Sequence, residues 1–536
     1  MKRDGRTSGF YSAAEGTDRL ITRKWAIALG VVLLFVCLAL AILAYTLKPI
    51  LKTIAREIME SDLQSHFHGS VKFADFNVSV YPRVLVTVTE LEIRHHDRTD
   101  VPPLVQVRKV SFDTTIPTLL RRRPKIGTVL LDGLQIHTPP KVNGGSHLIH
   151  GTDSDLAAKF PVVIGQILAD DALLVVLPAQ PGKHSQEFAI HHLKLNNFSF
   201  DRPTNFNATL TNPVPTGEIE STGVFGPWDA EEPSITPVHA QYVFKDADLG
   251  TLKGLKGTLF STGKFSGPLD YLDVEGETDV PNFALRISGN PLPLHTDFSA
   301  FVDGTNGDVI LKKVSATLAH TPLDVKGEIV DLTTLKGRTI ILDAVSSGGR
   351  IEDLLRLAVK SSKPLMVGTV KLTTRIDIPE KPEDLVERMK LDGQFEVGDA
   401  RFTSDAVQAK VDSLSRRSLG HPNDMEIGDA TSNLRGKFKM EKGVIDFSNL
   451  SFGVAGADIE LAGTYNLDTG EMDFRGKLKM KAKLSQTTTG MKSFFLKAVD
   501  PFFKGKGAGT VIPIKITGTK DSPAFGSDFH DPANKK

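Results

Sequence analysis

Cysteine is nearly missing from this 536-residue chain: Cys37 is the only one. One thiol excludes an intrachain disulfide and any cysteine-based metal cluster. Cys37 lies inside an apolar run, where it reads either as an acylation site or as a small apolar residue facing lipid. An excess of one charge is missing too, with 64 basic against 64 acidic residues. That balance argues against nucleic acid as a partner, since such proteins carry a basic surplus. Trp and Tyr are scarce at 2 and 6, so the 30 Phe carry the aromatic packing. No GxSxG, HExxH, Walker A or strand-to-helix dinucleotide fingerprint occurs, and the expectation is a non-enzymatic protein without cofactor or metal. His95–His96 and His191–His192 are adjacent pairs, which point to opposite faces of a strand; His66 and His68 lack an evident third ligand.

What is present begins with one long apolar segment. Trp25 to Leu47 runs 23 residues without a charge. As a helix it spans about 34 Å, enough to cross a hydrocarbon core of about 30 Å. Trp25 and Tyr45 stand near its ends, where amphipathic rings prefer the interface. Six basic residues against three acids in the first 24 residues place the N-terminus in the cytoplasm and the remainder across the membrane. A cleaved signal peptide is the competing reading, but its apolar region would be shorter and end in small residues.

Beyond the segment, Leu51 to Phe67 has helical spacing. From Val71 the period changes to two: Val84, Val86 and Val88 alternate with Leu85, Thr87 and Thr89. Strands follow around Val105–Phe112, Val129–Leu131 and Leu134–His137, broken by the short helical turn IPTLLRRR. Residues 139–155 read as a loop, and a second β series begins near Val162. Pro213, Pro215, Pro227, Pro233 and Pro237 mark a looser region. From Leu249 to about Leu332 the frequent glycines read as turns between hairpin strands. Helical insertions are expected at Ile351–Val359, Pro382–Met389 and Asp405–Arg417, and strands resume through Ala482. GMKSFFLKAVDPFF reads as a helix, TVIPIKITG as a last strand, and residues 521–536 as a polar tail.

Strands that alternate in this way have one apolar and one wetted face. A long sheet can cover the apolar face by closing into a barrel, by pairing with a second sheet, or by curling into a trough that holds something else. An outer-membrane barrel is excluded by the helical anchor and the proline-rich interruptions. Arg121, Arg122 and Arg123 form the densest basic cluster, read as contacts to anionic headgroups or as a solvated helix end. Phe494, Phe495, Phe502 and Phe503 read as helix core or as a lipid contact.

Two blocks resemble the AsmA family of bacterial envelope proteins. The first is the helix ending in HFHGSVKFADFNVSVYPRVLVTVTELEI, followed by PPLVQVRKVSFDTTIPTLLRRRPKIGTVLLDGLQI. The second is VIDFSNLSFGVAGADIELAGTYNLDTGEMDFRGKLKM with the ending DPFFKGKGAGTVIPIKITGTKDSPAFG. The resemblance implies an inner-membrane anchor with the bulk in the periplasm, and kinship with TamB-type and bridge-like lipid transfer proteins. It also implies a mainly β fold: an elongated antiparallel trough with an N-terminal transmembrane helix and short helical insertions. The implied partners are the inner membrane, phospholipid, and outer-membrane or periplasmic proteins. The implied role is envelope maintenance by phospholipid movement; the alternative is a periplasmic scaffold affecting outer-membrane protein assembly.

The expected organisation is a tail at 1–24, a membrane helix at 25–47 and an AsmA-like module at 48–150. A middle β region at 151–350, a region with helices at 351–430, an AsmA-like C-terminal module at 431–520 and a tail at 521–536 complete it. Val84, Val86 and Val88 are the expected groove lining, and Arg121, Arg122 and Arg123 the expected headgroup contacts.

Overall fold

The computed structural model of the chain describes residues 15–67, 69–79, 84–94, 98–119, 121, 125–138, 162–177, 185–229, 232–332, 337–361, 363–419, 430–481 and 510–527. In the first helix, side chains are described from Leu34 onward apart from residues 40, 41, 43 and 44. That helix, α1 (Glu15–Phe67), contains the whole segment from Trp25 to Leu47. Most of that segment's side chains lie outside the described residues. Among the described residues no helix is long and apolar enough to cross a membrane. Of the apolar side chains described there, Leu34, Phe35, Leu38 and Ile42 are exposed, and Leu47 is half-buried against the core.

The strands follow in order. The first nine are β1 (Val71–Lys72), β2 (Asp75–Ser79), β3 (Val84–Ile93), β4 (Val105–Thr114), β5 (Lys125–Thr138), β6 (Val163–Val176), β7 (Gln186–Phe198), β8 (Thr204–Pro213) and β9 (Thr216–Phe225). The middle group is β10 (Pro237–Asp248), β11 (Leu255–Lys256), β12 (Thr258–Pro268), β13 (Leu272–Leu285), β14 (Leu292–Val302), β15 (Val309–Leu318), β16 (Thr321–Val330) and β17 (Thr339–Arg350). The last are β18 (Met366–Ile378), β19 (Lys390–Phe402), β20 (Ser432–Glu441), β21 (Val444–Val454), β22 (Ala457–Asn466), β23 (Glu471–Met480), β24 (Thr510–Thr519) and β25 (Ser522–Ser527). Short helices α2 (Ile116–Leu119), α3 (Ile351–Ala358), α4 (Leu385–Arg388) and α5 (Asp405–Ser418) interrupt them.

The 25 strands form one sheet. Twenty-three of them make a single ladder in chain order, a long, strongly curled half-barrel; the two-residue strands β1 and β11 flank it. At about 4.8 Å per strand the spine of the ladder is about 105 Å long. Every pairing is antiparallel except β5 with β6, which is parallel. The sheet is therefore mixed, not the wholly antiparallel one expected. A parallel join needs a crossover rather than a hairpin, and residues 139–162 supply it. The expected loop at 139–155 lies outside the described residues.

Three further expectations are corrected. The proline-marked region is not loose: β8, β9 and β10 pair through it, with Pro213 and Pro237 at strand ends. The expected helix at Pro382–Met389 shrinks to the four residues of α4. The polar tail opens with β25, which pairs with β24. The expected GMKSFFLKAVDPFF helix lies outside the described residues.

The curl has a local cause. Many strand pairs carry register shifts, and a bulge bends its strand and increases its twist. Asp246 of β10 and Asp399 of β19 sit in such shifts with φ of 50° and 52°. A short polar side chain tolerates that left-handed conformation better than a bulky one does.

The strands run between two long rims. The C-terminal ends of β3, β10 and β17 (Ile93, Asp248, Arg350) lie on the first rim, and their starts (Val84, Pro237, Thr339) on the second. Helices α3 and α5 leave from the first rim, α4 from the second.

Candidate functional site

The concave face of the trough is an uncharged floor. Cross-strand pairing links one residue from each ladder strand into an unbroken file. It starts at Phe76 and passes through Val88, Val110 and Leu131 to Ala169 of β6. In the middle it runs Tyr242, Gly263, Gly276, Phe298, Val314, Val325. Its far end is Phe438, Phe447, Gly463, Phe474, Ile516, Phe525. None of its members is charged, and Ser221, Tyr242 and Thr374 are its polar side chains. A second file, two residues along, begins at Val78 and Val86 and ends at Gly518 and Pro523, again without a charge. The convex face is the opposite: Lys326, Asp343, Arg375, Asp392, Lys439 and Asp446 follow one another across six strands with alternating sign. Arg375 meets Asp343 at 3.5 Å and Lys439 meets Asp392 at 3.2 Å.

Along most of its length the floor is half-buried rather than sealed. Phe298, Val314, Val325, Phe438 and Phe447 are all of intermediate exposure. Within β20, half-buried Leu434, Gly436 and Phe438 alternate with exposed Arg435, Lys437 and Lys439.

The floor also contains mid-strand glycines that read as turns in the sequence. Gly263 and Gly276 are paired neighbours, and the Tyr242 ring lies over both: a Cβ on Gly276 would stand 2.8 Å from the Tyr242 hydroxyl. These glycines let an aromatic lie flat on the sheet. The Tyr242 hydroxyl is 3.2 Å from Ser261 Oγ, which accepts from Thr278 at 3.0 Å and donates to the Glu277 carbonyl at 2.8 Å. Burial raises the Tyr242 pKa, with the Ser261 hydrogen bond opposing it. The single period of alternation was visible in the sequence; the glycine pair was not, because only register places Tyr242 beside it.

Val84, Val86 and Val88 do share one face, as their spacing requires, and that face is the floor. They are not open lining, however. Helix α1 lies over them: Leu51 and Ala55 pack with Val84, Val86 and Val88 in one core, and Val86 and Val88 have no solvent exposure. Arg121 is exposed just after α2 on the second rim; Arg122 and Arg123 lie outside the described residues. Phe494, Phe495, Phe502 and Phe503 also lie outside them. Cys37 is exposed on α1. Among the described residues no group of three or more His, Cys, Asp or Glu is placed to hold a metal.

At the sealed end the second rim meets the end of α1. Trp228, beyond β9 on the second rim, donates from Nε1 to the His66 carbonyl at the end of α1 at 2.9 Å, and His66 stacks on Phe200 at 4.3 Å. Asp62, one turn earlier, is buried and its pKa is pushed up to about 6, chiefly by burial, with nearby His66 opposing the rise.

A second meeting lies near the middle. Lys253, in the loop after β10 on the first rim, donates from Nζ to the Pro382 carbonyl at 2.7 Å, and its own carbonyl accepts from Leu385 N at 3.2 Å. Arg286, just beyond β13 on that rim, forms an ion pair with Asp384. Residues 379–389 belong to the second rim, so this segment crosses the mouth of the trough. Its underside is apolar: Val386 packs with Val359 beyond α3 and with Met440 of the floor. Ile351 and Leu354 of α3 pack with Val370 and Val397. Asn290 Nδ2 donates to the carbonyls of Arg356, Val359 and Ser361, tying the end of α3 to the β13–β14 turn. Gly254 has φ of +97°, and a Cβ there would stand 2.6 Å from Leu385 Cβ, so the close approach depends on glycine. Helix α5 covers a third stretch, with Val411 packed against Val454, Leu478 and Ile512.

No family model, no curated protein and no solved structure matches this chain.

Proposed function

We propose that this chain is a non-enzymatic envelope protein that holds phospholipid acyl chains on its uncharged floor and moves them between inner and outer membranes. The observation that carries this reading is the pair of charge-free files running the length of the ladder, half-open in the middle, behind a convex face of alternating charge. Burying each CH₂ contributes about 0.8 kcal/mol, so a 16-carbon chain gains on the order of 12 kcal/mol on a fully apolar surface. A narrow furrow of this kind suits a flexible chain, whose headgroup remains in water at the mouth. The similarity of both ends of the sequence to the AsmA family supports the same role. It also supports an inner-membrane anchor at Trp25–Leu47 and a periplasmic location for the sheet.

The test is photo-crosslinking in cells from Val325, on the floor, and from Lys326, its neighbour on the convex face, followed by mass spectrometry. Phospholipid adducts at Val325 and none at Lys326 are expected. Protein adducts at Val325 in place of lipid would overturn the reading and favour the scaffold.

A further inference from the structure

The mouth of the trough is not one continuous slit. We infer that residues 379–389 are a strap across the mouth, fixed on the first rim beside β10 and β13 and on the second between β18 and β19, that closes off a holding compartment for acyl chains, and that lipid passes to the C-terminal floor only when the strap releases. This inference rests on the lipid reading above.

The argument is geometric. A chain lying on the floor with its headgroup in the mouth slides along the ladder only where the mouth is open. Residues 379–389 connect second-rim strand ends, yet they bond to Lys253 and Arg286 of the first rim. Anything protruding through the mouth meets this bridge. Below it, Val359, Val386 and Met440 fill the space between bridge and floor, so the headgroup has no route beneath. Val314 and Val325, on the N-terminal side of the strap's origin on the second rim, are half-exposed. Downstream, Ile516 of β24 is half-buried on the same file as Val325.

The bonds that hold the strap divide into two kinds. The apolar underside resists solvent, whereas the latch is polar: the Lys253 bonds to Pro382 and Leu385, and the Arg286–Asp384 pair, with the Arg286 side chain 60% exposed and Asp384 16%. A pair with one partner largely in water adds only modest stability. A strap latched by these few bonds can open without unfolding the sheet, because none of them belongs to the ladder.

The test locks the strap after folding. In full-length protein carrying Cys37→Ala, the pair Arg286→Cys and Asp384→Cys is bridged with a short bis-methanethiosulfonate linker that reductant removes. The protein is reconstituted in vesicles of phosphatidylethanolamine and phosphatidylglycerol. Lipid adducts are then read from photo-crosslinkers at Val325 and, separately, at Ile516. The unlocked protein is expected to give adducts at both. Locking is expected to leave the Val325 adduct and cut the Ile516 adduct at least tenfold, with recovery after reductant. Unchanged adducts at Ile516 in the locked protein, or equal loss at both positions, would overturn the strap. Absence of adducts at both positions before locking would instead overturn the lipid reading itself. Gly254→Ala gives an independent arm: a loosened strap is expected to raise the Ile516 adduct relative to Val325.

Discussion

The N-terminal end and the middle of the floor are built from the same kind of residue and do different things. Val86 and Val88 near the N-terminal end have no exposure, while Val314 and Val325 of the same floor are half-exposed. The difference is not in the strands, which alternate equally well in both places. It lies in α1, which brings Leu51 and Ala55 down onto β2–β5 and turns a lining into a core. Apolar alternation therefore says which face a residue takes, and the covering element decides whether that face is a core or a surface for something else. The largest expected effect separates these cases. Val88→Asp leaves an uncompensated charge in a sealed core and should cost roughly 3–5 kcal/mol locally. Hydrogen exchange should show it as lost protection in β3 and β4. Val325→Asp can reach water and should cost far less stability while abolishing the lipid adduct from a photo-crosslinker at its paired neighbour Val314. Equal destabilisation by the two would erase the distinction between the sealed end and the open middle.

Gly254→Ala comes next. The positive φ and the contact with Leu385 should together cost about 2 kcal/mol. The effect should appear as faster proteolysis within residues 379–389, with α1 unaffected. The sealed end has a pH signature in the acid range, where the floor tyrosines do not titrate. Asp62 has its folded pKa raised from 3.8 to about 6. A raised pKa stabilises docking of α1 below pH 4, and that contribution is lost as the pH rises through about 6. Hydrogen exchange in α1 near His66 should therefore slow between pH 7 and pH 4, and Asp62→Asn should flatten the dependence. The smallest change is expected on the convex face: Arg375→Ala, which removes the exposed pair to Asp343, should shift stability by about 0.5 kcal/mol or less. A larger loss would mean that the convex charges hold the curl.

Much of the ladder was legible because its signal is local. β3 has the bounds that alternation gave, Val84–Ile93, and α3 and α5 lie within a residue of the helical spacings at Ile351 and Asp405. What stayed hidden depends on residues distant in sequence. The parallel β5–β6 join was invisible because either direction of β6 gives the same period of two. The covering of Val84, Val86 and Val88 depends on where α1 lands. The strap is read as a helix from the spacing in PEDLVERM, but its place across the mouth comes from Lys253 and Arg286, 129 and 98 residues before their partners. β25 was missed because SPAFGS is short and polar, and only its neighbour β24 makes it a strand.

A ladder laid down in chain order has a kinetic consequence. Each strand bonds to strands close to it in sequence, so the loops to be closed are short and can form as the chain emerges. The β5–β6 crossover is an exception of longer reach, and the rim contacts made by Trp228 and Lys253 come later still. Such a structure is nearly one-dimensional in its cooperativity. It should fray from β25 inward rather than melt at once, and a break at one rung should leave distant rungs intact. Calorimetry of the whole chain should then give a transition broader than its enthalpy requires for a single all-or-none step.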